Sequence, residues 1–234
     1  MDAKACGLIH APTGFGKTYA VWAGVLGQLH RAGGSSSDSG SGSTANAGLQ
    51  VLWITPMRAL AADTFQALGR FAPEGFSLGL RTGDTSSHER AKQDRRPPQG
   101  LVTTPESLSL MLSKPQSLAV LSALRFVVVD EWHELIGNKR GSLLELSLAA
   151  LASITGKTLQ VWGLSATLGN LDEAAQVLCH SLGSPAKITA SRRQPPRTTN
   201  LQPHDPIRFG WLGHLSPTSH KPSRPQMVIV QPRL

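Results

Sequence analysis

Cysteine, long apolar runs and, over most of the chain, net charge are all scarce in these 234 residues, and each scarcity removes a class of protein. Two cysteines, Cys6 and Cys179, give no cluster at metal-ligand spacing and no disulfide framework, which excludes a zinc module and a stapled secreted scaffold. The pattern predicts two reduced, buried thiols. No apolar run approaches the ~20 residues that span a bilayer, so no membrane partner is expected. Residues 1–10 lack the charged, apolar and small-residue succession of a secretory leader, which leaves a cytoplasmic location as the expectation. The formal net charge of +8 is unevenly spread: residues 192–234 hold seven Lys and Arg against the single acid Asp205. Residues 1–191 are left with a net charge of only +2, so basicity alone does not mark them as a nucleic-acid binder.

What the chain does contain is the composition of a globular domain, 40% hydrophobic and 16% charged. Short apolar runs alternate with helical patterns, the signature of βαβ units and a parallel sheet. Strands are predicted at 5–10, 51–55, 77–81, 101–104, 125–130 and 158–164, and helices at 17–29, 59–70, 142–154 and 171–179. The run Phe126-Val-Val-Val129 reads as a central strand covered on both faces. Two stretches break the pattern. Residues 33–48 are nearly all Gly, Ser, Ala, Asn, Thr and Asp and predict a flexible insertion. Half of the sixteen prolines fall after residue 191, a density that excludes helices and central strands. The expected organisation is one α/β domain over residues 1–190 and a Pro- and Arg-rich tail over 191–234, either disordered or aberrant.

Three strings carry chemistry. Ala11-Pro-Thr-Gly-Phe-Gly-Lys-Thr18 lies between a predicted strand and a predicted helix. Its glycines let backbone N–H groups approach phosphate, and the helix starting near Lys17 presents its positive end. Thr13, Gly14, Phe15, Gly16, Lys17 and Thr18 are therefore the candidate phosphate site, with Lys17 reaching the β- and γ-phosphates of ATP and Thr18 offering a hydroxyl to Mg²⁺. Asp130-Glu-Trp-His133 ends the apolar strand, where α/β sheets collect ligand groups. Asp130 is expected to hold Mg²⁺ and Glu131 to orient and deprotonate the attacking water. Ser165-Ala-Thr167 follows the next apolar strand, and its hydroxyls can bridge from His133 to whatever moves when the γ-phosphate leaves. Read alone, each string has a plainer alternative: a Gly-rich turn, a solvated acidic strand end, a helix cap.

In this order the strings resemble superfamily 2 helicases, whose first motor domain carries A-x-x-G-x-G-K-T, D-E-x-H and S-A-T. Thr55-Pro-Met-Arg-Ala-Leu60 looks like motif Ia and Thr104-Pro-Glu-Ser-Leu108 like motif Ib. Arg81-Thr-Gly-Asp-Thr-Ser-Ser87, Asp130–Arg140 and Trp162–Asn170 look like the ligase-associated DEXH-box helicases, relatives of the Lhr proteins. The resemblance covers roughly residues 5–190 and implies a RecA-like P-loop domain that binds ATP and Mg²⁺. It also implies single-stranded or partly duplex DNA as partner, with Thr55, Pro56, Arg58, Thr104 and Pro105 along one strand, and DNA-repair partners such as a ligase or nuclease. Motifs IV to VI, with the arginine finger of a second motor domain, have no counterpart here, nor has the segment that recognises adenine. Arg208–Leu215 resembles the link toward a second domain, and an out-of-frame or truncated reading would produce the ending that follows.

Three readings stay open on the residues. The chain is the first motor half of a DNA helicase, impaired by the missing half, or an ATP- and nucleic-acid-binding module without useful hydrolysis. A P-loop enzyme acting on a small substrate is the third, and it leaves motifs Ia, Ib and Ser165-Ala-Thr167 unexplained.

Overall fold

The computed structural model describes residues 6–33, 48–156, 159–183, 186–190 and 229–230. The expected insertion and tail lie outside them, apart from Gly33, Gly48 and Ile229–Val230. Seven parallel strands run β1 (Cys6–His10), β2 (Val51–Ile54), β3 (Leu78–Arg81), β4 (Gly100–Thr103), β5 (Phe126–Val129), β6 (Gln160–Ser165) and β7 (Ala186–Ala190). The two-residue β8 (Ile229–Val230) pairs antiparallel with β7 at one edge. Their order is β3-β4-β2-β5-β6-β1-β7-β8.

Helices α1 (Lys17–Gly33) and α2 (Arg58–Arg70) carry the chain outward from β1 to β3. Helices α3 (Ser87–Arg95), α4 (Pro105–Leu112), α5 (Pro115–Leu121), α6 (Lys139–Thr155) and α7 (Leu171–Cys179) carry it back. Right-handed crossovers require the outward and return helices to take opposite faces of the sheet. Two core layers follow. Val21, Trp22, Ala61 and Leu68 pack with Val51, Trp53, Phe126 and Val128 on one face. Leu108, Leu121, Leu144, Leu148 and Leu178 pack with Leu8, Leu52, Val127 and Val129 on the other. Successive strand residues alternate faces, so a strand covered twice is apolar at every position. Each such side chain contributes about 1.5–3 kcal/mol on burial, and a one-residue slip would exchange the two sets.

The six predicted strands and four predicted helices are present, with ends shifted by four residues at most. Asn170 caps α7 as expected, its side chain accepting the Glu173 N–H. Helices α3, α4 and α5 and strand β7 were not anticipated by the periodicity. Of α3 only Gln93 is buried, so it shows no apolar stripe. The other three are eight, seven and five residues long, too short to establish a period.

The two cysteines overturn an expectation. Both are buried, but they are joined in a disulfide with their Cα atoms 5.7 Å apart. They stand 173 positions apart in sequence, and separation along a chain does not measure separation in a fold. Helix α7 packs against β1 and seats Cys179 beside Cys6.

Candidate nucleotide site

Strand order decides which loops meet. Strand β6 lies between β1 and β5, so the carboxyl ends of all three are neighbours. His10 is in register with Ser165, and the Ala11 N–H donates to the Ser165 carbonyl at 3.2 Å. On the far side of β5, the Asp130 N–H donates to the Ile54 carbonyl of β2 at 2.8 Å. The three strings, spread over more than 150 positions, thus form one edge of the sheet.

The loop from Ala11 to Gly16 turns through Gly14 and Gly16, whose φ angles of 82° and 72° lie where side chains are strained. Lys17 opens α1 and folds back over this loop, donating to the carbonyls of Ala11 at 2.5 Å and Pro12 at 3.2 Å. A cavity of about 320 Å³ lies against it, lined by Thr13, Gly14, Gly16, Lys17 and Thr18, by Asp130 and Glu131, and by a face of α2. Phe15 is not among the lining residues and its ring is exposed.

Asp130 is buried. Its Oδ2 accepts from Trp53 Nε1 at 3.3 Å and its Oδ1 from the Glu131 N–H at 3.0 Å. Burial, reinforced by the neighbouring Glu131 charge, pushes the Asp130 carboxyl up to about 6 against the pull of the Trp53 hydrogen bond. Glu131 has φ 44° and ψ 50°, the one positive φ outside glycine among the described residues. Such a conformation costs on the order of 1 kcal/mol or more and is held by the structure around it. Its Oε2 is buried, 3.3 Å from His133 Nδ1, and makes no hydrogen bond among the described residues. The same Nδ1 lies 3.1 Å from Ser165 Oγ, so the expected bridge between the second and third strings is formed. Thr167 is exposed at the edge.

The Thr18 hydroxyl and the Asp130 carboxyl carry oxygen donors of the hard kind that Mg²⁺ takes, and the remaining positions in such sites belong to water and phosphate. A cavity of this size bordered by a lysine, hydroxyls and carboxyls fits a nucleotide with its metal. Among the described residues no group of three or more His, Cys, Asp and Glu could hold a metal by itself.

Three further residues of the site were not found from sequence. Trp53 lies in β2 and reaches Asp130 only because β2 pairs with β5. His10 holds a buried Nδ1 with no hydrogen-bond partner among the described residues, and burial, with the Lys17 and His133 charges, lowers its pKa. Tyr19 lines the cavity beside Thr18, with Phe71 edge-on at 4.7 Å between ring centroids. Its place in the first turn of α1, directly after the phosphate loop, was a usable signal.

The predicted nucleic-acid residues gather at the other half of the same edge, after β2 and β4. Thr55, Pro56, Thr104 and Pro105 are buried there. Thr55 Oγ1 donates to the Met57 carbonyl at 3.2 Å and Thr104 Oγ1 to Ser107 Oγ at 3.4 Å, so both hydroxyls point inward. Arg58 is exposed and pairs with Asp84 at 2.7 Å.

Residues 3–174 match the DEAD/DEAH box helicase family. The chain is 37% identical over 192 residues to the ATP-dependent helicase Lhr-Core of Methanothermobacter thermautotrophicus, covering 76% of this chain and 21% of that protein. It is 36% identical over 184 residues to the Lhr helicase/uracil glycosylase of Escherichia coli, covering 73% of this chain and 12% of that one. The structure of Mycobacterium smegmatis helicase Lhr bound to ssDNA and AMP-PNP superposes with a TM-score of 0.65 at 33% identity, over 80% of this chain and 24% of that one. The matched region spans about a fifth of the length of the Lhr-Core relative and less of the Escherichia coli one.

Proposed function

Because the chain belongs to the DEAD/DEAH box helicase family, we propose that residues 1–190 are the ATP-binding motor domain of a DNA helicase. They bind MgATP and single-stranded or partly duplex DNA. The observation that carries this reading is the convergence of Lys17, Thr18, Asp130 and Glu131 on one cavity. Lys17 exchanges its loop carbonyls for phosphate oxygens. Thr18 and Asp130 would hold the metal, which would supply positive charge against the phosphates. Glu131 orients the attacking water and takes its proton, and the bond broken is the β–γ phosphoanhydride. His133, Ser165 and Thr167 couple that event to the nucleic-acid half of the edge, where Thr55, Pro56, Arg58, Thr104 and Pro105 line the strand's path. In this reading duplex unwinding requires a second motor domain closing on the nucleotide. A place in DNA repair beside a ligase or nuclease, in the cytoplasm, belongs to the same reading and rests on family likeness.

A second reading, nucleotide and nucleic-acid binding without useful turnover, has its own support. Among the described residues Lys17 is the one cation lining the cavity, and an arginine finger typically contributes ~10³–10⁵ in rate. One assay separates the two: ATP hydrolysis with and without single-stranded DNA, with Lys17→Ala as control. DNA-stimulated turnover lost in the variant supports a motor, while nucleotide binding without turnover supports the module. If neither ATP nor DNA binds, both readings fail.

A further inference from the structure

A second cavity, of about 150 Å³, lies between α3 and α4 behind the nucleic-acid half of the edge. Among the described residues its lining is Arg81, Arg90, Ser107, Leu110 and Lys114, three cations and no carboxylate. It shares no lining residue with the nucleotide cavity. We propose that this cavity is a phosphate subsite that takes a backbone phosphate of the bound nucleic-acid strand. The proposal rests on the reading that the chain binds nucleic acid and adds a contact none of its predicted strand residues supplies.

The charge balance carries the argument first. Asp94 lies outside the lining and serves two of the three cations, with Arg81 NH1 at 2.6 Å and Lys114 Nζ at 3.6 Å. Burial pushes the Asp94 carboxyl up, but the Arg81 hydrogen bond and charge, aided by Lys114, outweigh it and hold it below the ordinary range. One carboxylate against three cations leaves the cavity with a local excess of two positive charges. Glu106, the nearby acid at the start of α4, is engaged by Arg140 through Nε and NH2 and does not line the cavity.

The donors are fixed in place. Arg90 NH2 donates to the carbonyls of Thr82 at 3.1 Å and Gly83 at 2.8 Å, which locks its guanidinium against the loop after β3. The Arg90 Nε–H is buried and has no hydrogen-bond partner among the described residues. A buried charged donor left unmade is costly, and an anion oxygen would satisfy it. Ser107 Oγ also lines the cavity, 3.4 Å from Thr104 Oγ1. Cations with fixed N–H directions and a hydroxyl suit a tetrahedral oxyanion.

Location supplies the source. Thr82 and Gly83, held by Arg90, precede Asp84, which pairs with Arg58, and Thr104 and Pro105 lie one turn from Ser107. With the Thr55 and Thr104 hydroxyls turned inward, the loops themselves offer backbone N–H groups and little charge. The three cations behind them supply it.

The test uses the full chain and two probes, an oligothymidylate and inorganic phosphate. The Arg90 Nε–H resonance, assigned by its loss in Arg90→Lys, is followed by ¹⁵N NMR while oligonucleotide affinity is measured against salt. The expected result is that the oligonucleotide shifts this resonance. Lys114→Ala, which touches no backbone group, should weaken binding about tenfold. It should also lower the slope of log affinity on log salt by ~0.7 and leave nucleotide affinity unchanged. If the oligonucleotide binds and the resonance and salt slope do not respond, the proposal is wrong. If only inorganic phosphate shifts the resonance, the cavity holds a free anion and the strand assignment is overturned. An oligonucleotide that binds nowhere overturns the nucleic-acid reading itself, and the subsite with it.

Discussion

His133 Nδ1 stands 3.1 Å from Ser165 Oγ, a side-chain link from the turn after β5 to the last residue of β6. Ser165 is buried and its carbonyl receives the Ala11 N–H at the start of the phosphate loop. Ser165→Ala removes the side-chain link and keeps the backbone one. We expect nucleotide affinity to stay within about twofold while DNA-stimulated hydrolysis falls by tenfold or more, a loss on the order of one hydrogen bond. Equilibrium nucleotide binding and steady-state hydrolysis on the same preparation check this.

Glu131 offers a separation of stability from activity. Its positive φ is a strain that glycine relieves, so Glu131→Gly should raise stability by about 1 kcal/mol despite losing a side chain. The same change should abolish hydrolysis. Glu131→Gln keeps both shape and strain and should lose ~10²–10⁴ in turnover as the general base disappears. Denaturant melts of the three proteins decide it, and a destabilised Glu131→Gly would show that the turn is held without strain.

The pH dependence follows from Asp130. With a carboxyl at about 6 in the folded chain against an ordinary value of 3.8, the folded state holds the proton more tightly. Stability from this group is therefore greatest at low pH and declines as pH rises between about 4 and 6. Asp130→Asn should match wild type near pH 4 and exceed it by roughly 1–3 kcal/mol above pH 6 in the absence of nucleotide. Melting both proteins across that range gives the difference directly, and an unchanged gap would remove the burial argument.

The disulfide makes stability redox-dependent. Reduction, or Cys179→Ser, should cost about 2–5 kcal/mol because the bond closes a long loop. In a chain of this size that lowers the melting temperature by roughly 5–15 °C. Reducing compartments disfavour such bonds, so thiol counting on protein taken from the cytoplasm also tests the proposed location.

Legibility in the sequence followed local pattern. The nearly unbroken apolar run before Asp130 announced a central strand, and its carboxyl end announced a ligand site. Glycines at 14 and 16 before Lys17 announced a phosphate loop, since few other residues take those φ values. What stayed hidden depended on neighbours distant in sequence. Nothing local tells that β2 borders β5, so the Trp53 to Asp130 hydrogen bond could not be read. The inward turn of the Thr55 and Thr104 hydroxyls is equally invisible, because a threonine after a strand serves a phosphate or its own backbone with the same residue. Helix α3 escaped because its residues are almost wholly polar, and the Arg90 cavity it borders escaped with it.

The Cys6–Cys179 bond also alters the chain's topology. All three strings that build the nucleotide site fall inside the span it closes, so they lie on one covalent circle. A single cut anywhere between those cysteines leaves one molecule of unchanged mass, apart from the added water. A protease-nicked chain would thus run as two pieces on a gel only after reduction.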